Sequence, residues 1–217
     1  MPEPLPIQPT KCRNCGMLFE GNFCNNCGQK HIEHRLNAPF IWKDLIEGVF
    51  NFDSGVFFTA MQLSLRPGYS IRSFIEGKRV NYTSPIAYLI ITASIFGLLY
   101  HFFEPNFAEL YQTSSTQFRN LGEQIIGSIY SHYTISSLLL IPLTTVLSYV
   151  IFKKQGYRII EHAILNIYIT GHTILIRIVF FLCLFLIKEH IELSSLRWIF
   201  QIIYFSYLTW CYAQFFR

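Results

Sequence analysis

The chain has 217 residues, of which 52% are hydrophobic, 17% aromatic and only 14% charged. A soluble domain carries about 25% charged residues, so this composition argues against a chain that can hide its apolar surface from water. The net charge of +4 is too mild to point to nucleic acid by itself.

Residues 1–10 carry four prolines and read as an extended tail. The next stretch, 11–30, holds two Cys-x-x-Cys pairs, Cys12 with Cys15 and Cys24 with Cys27, each followed by a glycine, Gly16 or Gly28. A knuckle that aims two sulfurs at one ion needs a sharp turn, and a glycine after the second cysteine permits it. The residues between the pairs suffice for a minimal hairpin, with Gly21-Asn22 as its turn. Disulfides or a redox dithiol are the rivals, but a redox pair needs one Cys-x-x-Cys and a supporting fold. The expectation is a four-cysteine zinc ribbon with one structural ion. Four thiolates leave no open position for catalytic water, and in so small a head metal binding supplies the folding energy. His31 and His34 are then read as solvated. Cys183 and Cys211 stand alone in apolar runs and are assigned no function.

Residues 39–82 read as juxtamembrane amphipathic helices. In 39–52, Ile41, Leu45, Val49 and Phe52 share a helical face that Lys43, Asp44, Glu47 and Asn51 avoid. The partner of that face is lipid or the protein itself; periodicity does not distinguish them. A short apolar helix over 54–65 stops at Arg66-Pro67-Gly68. Another, about 70–76, carries Ser73 and Glu76 at capping-box spacing and stops at Gly77.

The remaining chain, 83–217, reads as a transmembrane helical domain. Four apolar stretches are long enough for a bilayer core of about 30 Å: 84–103, 134–152, 161–187 and 197–216. The fold class expected is therefore mostly α, a polytopic helical membrane protein of about four spans with a small N-terminal zinc ribbon. Nine of the 17 Lys and Arg precede residue 83, whereas the 104–133 loop has only Arg119 against three glutamates. The turn at 153–158 has three more cations. That alternation places both termini in the cytoplasm, where thiols stay reduced. No signal peptide is expected at the N-terminus.

Within the third stretch, His162, Asn166, Thr170, Thr173 and Arg177 form one polar stripe. Glu161, Tyr168 and His172 lie on a neighbouring face, and Thr144, Thr145 and Ser148 are candidate partners. The stripe reads either as a ligand, ion or proton site or as interhelical glue. Before the first span, Arg72, Lys78 and Arg79 read as contacts to anionic lipid headgroups or as plain topology determinants.

The segments CRNCG…FCNNCGQK, FDSGVFFTAMQLSLRPG, IRSFIEGKRVNYTSPIAYL and YRIIEHAILNIYITGH resemble the bacterial membrane-protein family known as domain of unknown function 3667. The resemblance spans roughly residues 11 to 172. Its most specific run comprises Arg66, Pro67, Gly68, Gly77, Lys78, Arg79, Tyr82, Ser84 and Pro85. It implies a zinc-ribbon head, several spans and a bacterial inner-membrane location, and it implies no activity.

Two functions compete. One is a non-enzymatic membrane protein whose head docks a cytoplasmic partner or assembles a homo-oligomer. The other is a transporter or channel component working through the polar stripe. No nucleophile–base pair, metalloprotease motif or phosphate loop points to an enzyme, and nucleic-acid binding is not expected of a membrane-tied head.

Overall fold

The computed structural model describes residues 9–31, 55–110, 133–187 and 193–217. Two short strands, β1 (Thr10–Lys11) and β2 (Leu18–Phe19), belong to the head. Six α-helices follow among the described residues: α1 (Gly55–Leu65), α2 (Pro67–Ile75), α3 (Pro85–Leu110), α4 (Tyr133–Ile151), α5 (Ile159–Ile187) and α6 (Leu193–Phe215). The amphipathic segment expected at 39–52 lies outside the described residues.

α1 and α2 are separated by one residue. Pro67 lacks an amide proton, so it ends the ladder of α1 and occupies the first turn of α2, where that proton would be unused. The carbonyls near the break are satisfied by Ser70, whose hydroxyl lies 2.8 Å from the Arg66 carbonyl and 3.2 Å from that of Gln62. Arg66 Nε also donates to Gln62 Oε1 at 2.9 Å. α2 ends at Gly77, whose φ of 106° is open to glycine and costly for other residues. The Gly77 amide donates to the Phe74 carbonyl (3.1 Å) and that of Lys78 to the Ser73 carbonyl (2.9 Å), the paired bonds of a Schellman stop. Ser73 and Glu76 are therefore at the wrong end for a capping box. Starting at Pro67 rather than residue 70, α2 places Glu76 at its C-terminal cap. The comparable device sits on α5, where Glu161 Oε2 accepts the Arg158 amide at 2.8 Å.

α5 is the central helix. Its residues Ile164, Leu165, Tyr168 and Ile169 share a core with Leu63 of α1, Ile71 and Phe74 of α2, Tyr88 of α3 and Tyr207, Cys211 and Phe215 of α6. A second cluster joins Leu89, Ala93 and Phe96 to Ile174, Ile178 and Phe181. α3 and α5 cross closely at Gly171, where a Cβ would lie 3.0 Å from Tyr88 Cδ1 and 3.3 Å from the Leu89 Cα. Small residues at such crossings let two helix backbones approach. Gly68 plays the same part between α2 and α6: a Cβ there would sit 2.7 Å from the Cys211 carbonyl oxygen.

The outer faces are apolar. Phe57, Phe102, Leu139, Ile151, Trp198 and Ile202 are each between 65% and 79% exposed. Among the described residues one helix, α5, is long and apolar enough to cross a membrane, with a mean hydropathy of 1.7 over Ile159–Cys183.

Candidate metal centre and buried polar clusters

The head is built twice from one pattern, offset by twelve positions. In the first half the Cys12 amide donates to the Met17 carbonyl (2.8 Å) and the Gly16 amide to the Cys12 carbonyl (2.9 Å). In the second, Cys24 donates to Gln29 and Gly28 to Cys24, both at 2.8 Å. Lys11 pairs with Leu18 in the first half, and Phe23 with Lys30 in the second. Gly16 and Gly28 have φ of 80° and 71°, the left-handed conformation in which glycine is least strained. Each knuckle is thus the tip of its own tiny hairpin. The sequence expectation of one hairpin between the pairs, turning at Gly21-Asn22, is corrected: those residues join two hairpins. Pairing on either side of each Cys-x-x-Cys-Gly turn, rather than between the turns, is the physical reason.

The two tips face each other. Cys12 Sγ lies 3.6 Å from Cys27 Sγ and Cys15 Sγ 3.5 Å from Cys24 Sγ, so each close pair takes one sulfur from each knuckle. All four sulfurs lie within 4.8 Å of one another and could hold a metal ion. They are free thiols, far beyond the roughly 2.05 Å of a disulfide. A tetrahedral centre with bonds of about 2.3 Å has sulfur–sulfur edges of about 3.8 Å, close to the spacing observed. Desolvation pushes the Cys12 thiol up to about 11. The Met17 backbone amide and the Asn26 side chain hold the more exposed Cys15 thiol down at about 6, favouring the thiolate that a metal requires. Phe19 is buried with Cys12 and Cys24 as the head's small core. His31 is half-buried, edge-on to Phe19 with ring centroids 5.8 Å apart, rather than solvated; His34 lies outside the described residues.

The head sits on the turn after α2. The Arg79 amide donates to Gln29 Oε1 at 3.3 Å. Gly77 is covered by Arg13, whose Cδ would be 2.8 Å from an added Cβ. Arg79 also turns its Nε to the Phe74 carbonyl (3.3 Å) and its guanidinium over the Phe74 ring. Arg72 crosses to the end of α6. It donates to the Gln214 carbonyl at 3.1 Å and to that of Phe215, where a cation complements the helix dipole. Lys78 is exposed.

The polar stripe of α5 divides. His162 and Asn166 join Ser148 of α4 and Tyr212 of α6. His162 Nδ1 lies 3.1 Å from Ser148 Oγ, Asn166 Nδ2 donates to the same oxygen at 3.0 Å, and the Tyr212 hydroxyl donates to Asn166 Oδ1 at 2.7 Å. His162 Nε2 meets no hydrogen-bond partner, and the ring is enclosed by those of Tyr149, Tyr157 and Phe216. Thr173 bonds back to the Thr170 carbonyl at 2.9 Å, and Arg177 lies over the Phe200 ring, 4.7 Å from its centre. Of the candidate partners Ser148 meets the stripe, through His162 and Asn166, whereas Thr144 bonds its own helix.

His172, on the neighbouring face, makes the broader junction. Ser64 gives its proton to the Ala60 carbonyl (2.9 Å), so His172 Nε2 donates to Ser64 Oγ at 3.3 Å. The Tyr88 hydroxyl then donates to Nδ1 at 2.9 Å. One neutral imidazole thereby links α1, α3 and α5. The Tyr168 hydroxyl donates to the Thr83 carbonyl at 2.7 Å. Sequence periodicity did not single out Ser64, Tyr88 or Tyr212, because each lies on a different helix from the histidine or asparagine it serves.

Residues 53–97 match the model of a family described as "Protein of unknown function (DUF3667)". The match takes in α1, α2 and the first half of α3, including the whole run from Arg66 to Pro85. No curated protein and no solved structure matches the chain.

Proposed function

We propose that this chain, whose residues 53–97 match the DUF3667 family model, is a polytopic membrane protein whose zinc-bearing head docks a partner protein at the cytoplasmic face. The observation that carries the docking reading is on the head itself. Met17, Leu18 and Phe23 are 53%, 67% and 57% exposed, outside the small core of Cys12, Phe19 and Cys24. Apolar groups left in water on one module favour a contact with another protein where they adjoin one another.

The membrane reading is supported by the apolar outer faces of α3, α4 and α6 and by the charge alternation of the loops. The zinc reading is supported by four convergent thiolates, a soft tetrahedral donor set that suits zinc and leaves no position for substrate. Cys12, Cys15, Cys24 and Cys27 would hold the ion, which would lock the two knuckles together. Reduced thiols agree with a cytoplasmic, inner-membrane location.

The buried histidines support a structural role for the α5 stripe. His172 has both ring nitrogens satisfied by neighbouring helices, and Asn166 is bonded through both ends of its amide. The rival transporter reading requires solute flux in proteoliposomes that Arg177→Gln reduces.

The test is affinity capture from membranes with full-length protein. Leu18→Glu, which keeps every ligand, and Cys24→Ser, which removes one, should both lose a partner that the wild type retains, while Leu18→Glu keeps its zinc. Recovery of a differently tagged copy of the same chain would assign the surface to self-assembly. Equal partner recovery by all three proteins sinks the docking reading.

A further inference from the structure

Two contacts of the head with the turn after α2 come from different knuckles. Arg13 lies inside the first knuckle, between Cys12 and Cys15, and its side chain covers Gly77, with Cδ 2.8 Å from where a Cβ would be. Gln29 belongs to the second, directly after Gly28. Its backbone carbonyl accepts the Cys24 amide at 2.8 Å, and its side-chain oxygen accepts the Arg79 amide at 3.3 Å. Gln29 is only 6% exposed, although the core of the head is Cys12, Phe19 and Cys24. A buried amide side chain calls for a partner, and this one finds it on the helical body.

The knuckles are separate hairpins, and their small common core itself contains two of the four thiols. An ion at the centre would take two sulfurs from each knuckle and fix their relative placement. Making both contacts with the turn at once uses the placement in which the sulfurs converge. Metal binding and seating of the head therefore favour the same arrangement. Such coupling is reciprocal: what the seat gains from the ion, the ion gains from the seat.

We infer that the four-thiolate centre is a metal-controlled clasp: with its ion bound, the head is held on the α2–α3 turn through Arg13 and Gln29, and loss of the ion releases that turn. The clasp requires the zinc reading of the four thiolates, and neither the docking nor the membrane reading. No covalent step is involved. The released part is short. Thr83, beyond Arg79, is held by the body: its amide donates to Thr59 Oγ1 at 2.9 Å, and its carbonyl accepts the Tyr168 hydroxyl at 2.7 Å. What the ion governs is the stretch from Gly77 to Arg79, and with it the direction in which the head presents Met17, Leu18 and Phe23.

The experiment uses the full chain in neutral detergent with a reductant present. Zinc per chain is measured by elemental analysis before and after dialysis against a strong chelator. Hydrogen exchange at the Arg79 amide is then compared in the loaded and stripped protein, with the Thr83 amide as internal reference. Expected is exchange at Arg79 about fivefold faster or more after stripping, reversed by added zinc, with Thr83 unchanged. The reciprocal arm uses Gln29→Ala, which removes the accepting oxygen and no thiolate. In equilibrium competition with a chelator of known affinity, it should bind zinc about fivefold more weakly than the wild type. Arg13→Ala, with the same expected outcome, is the second variant if Gln29→Ala does not give folded protein. Equal Arg79 exchange in loaded and stripped protein, or wild-type zinc affinity in the variants, overturns the clasp and leaves the zinc reading standing. A chain that takes up no metal overturns both.

Discussion

The amide of Arg79 donates to Gln29 Oε1 across 3.3 Å, joining residues fifty positions apart. With Arg13 lying against Gly77, it ties the second knuckle of the head to the turn that leads into α3.

Gly77→Ala should loosen that seat. A side chain at this positive φ costs about 1–2 kcal/mol, and the new methyl must displace the Arg13 side chain. The expected outcome is a lower unfolding temperature in detergent and faster hydrogen exchange at the Arg79 amide, with zinc content retained. Unchanged exchange at Arg79 would show that the seat does not depend on this turn.

Full-length protein should contain one zinc ion per chain by elemental analysis. Cys12→Ser and Cys24→Ser should each lose most of it, since each removes one ligand of a four-thiolate set contributed by both knuckles. Iron in place of zinc, visible by its absorption, would correct the metal while leaving the ligands.

Gly68→Val should destabilise the helical body by about 1–3 kcal/mol or more, as overpacking does, because the added atoms meet the backbone of α6 at Cys211. Thermal unfolding would register the loss, and the metal content of the head should not follow it.

Tyr212→Phe leaves Asn166 Oδ1 buried without the hydroxyl that now serves it. Tyr88→Phe does the same to His172 Nδ1. Interhelical bonds of this kind are worth about 0.6 kcal/mol on average and up to about 1.7 in bilayers. Each variant should fall within that range by reversible unfolding in detergent. A variant of full stability would remove its bond from the set that holds the helices together.

Trp198 is 65% exposed and Trp210 is 40% exposed. In proteoliposomes their emission should be quenched by brominated acyl chains. Quenching by aqueous iodide alone would place these faces in water and count against the membrane reading.

Much of the helical pattern was legible from composition and punctuation. The apolar stretches beginning near residues 84, 134, 161 and 197 start within four residues of α3 to α6, because long uncharged runs have few alternatives to helix; α3 runs on to Leu110, seven residues past the expected end. The break at Pro67 and the stop at Gly77 were readable for covalent reasons: one lacks an amide proton and the other lacks a Cβ. Ser73 and Glu76 misled because their spacing is symmetric to the eye while helix ends are not. In the head, Cys-x-x-Cys-Gly announced its turns, but the pairing of Lys11 with Leu18 and of Phe23 with Lys30 was masked by the lure of Gly21-Asn22. The stripe on α5 told which residues share a face and not what they face. Ser148 and Tyr212 come to His162 and Asn166 from helices packed on either side, and no local period records that. Arg72 read as a border charge, yet it reaches the carbonyl end of α6 over 143 residues.

That reach bears on the order in which the molecule can be completed. Gly68 is seated on α6, its amide donating to Gln214 Oε1 across 146 positions. At ribosomal rates of about 5–20 residues per second, roughly 7 to 30 seconds separate the synthesis of these partners. Until α6 emerges, α2 rests only on the core it shares with α1, α3 and α5, and Arg72 and Gly68 lack their partners on α6. The head, made before the helices it is tied to, therefore gains this support only after Gln214 and Phe215 are in place.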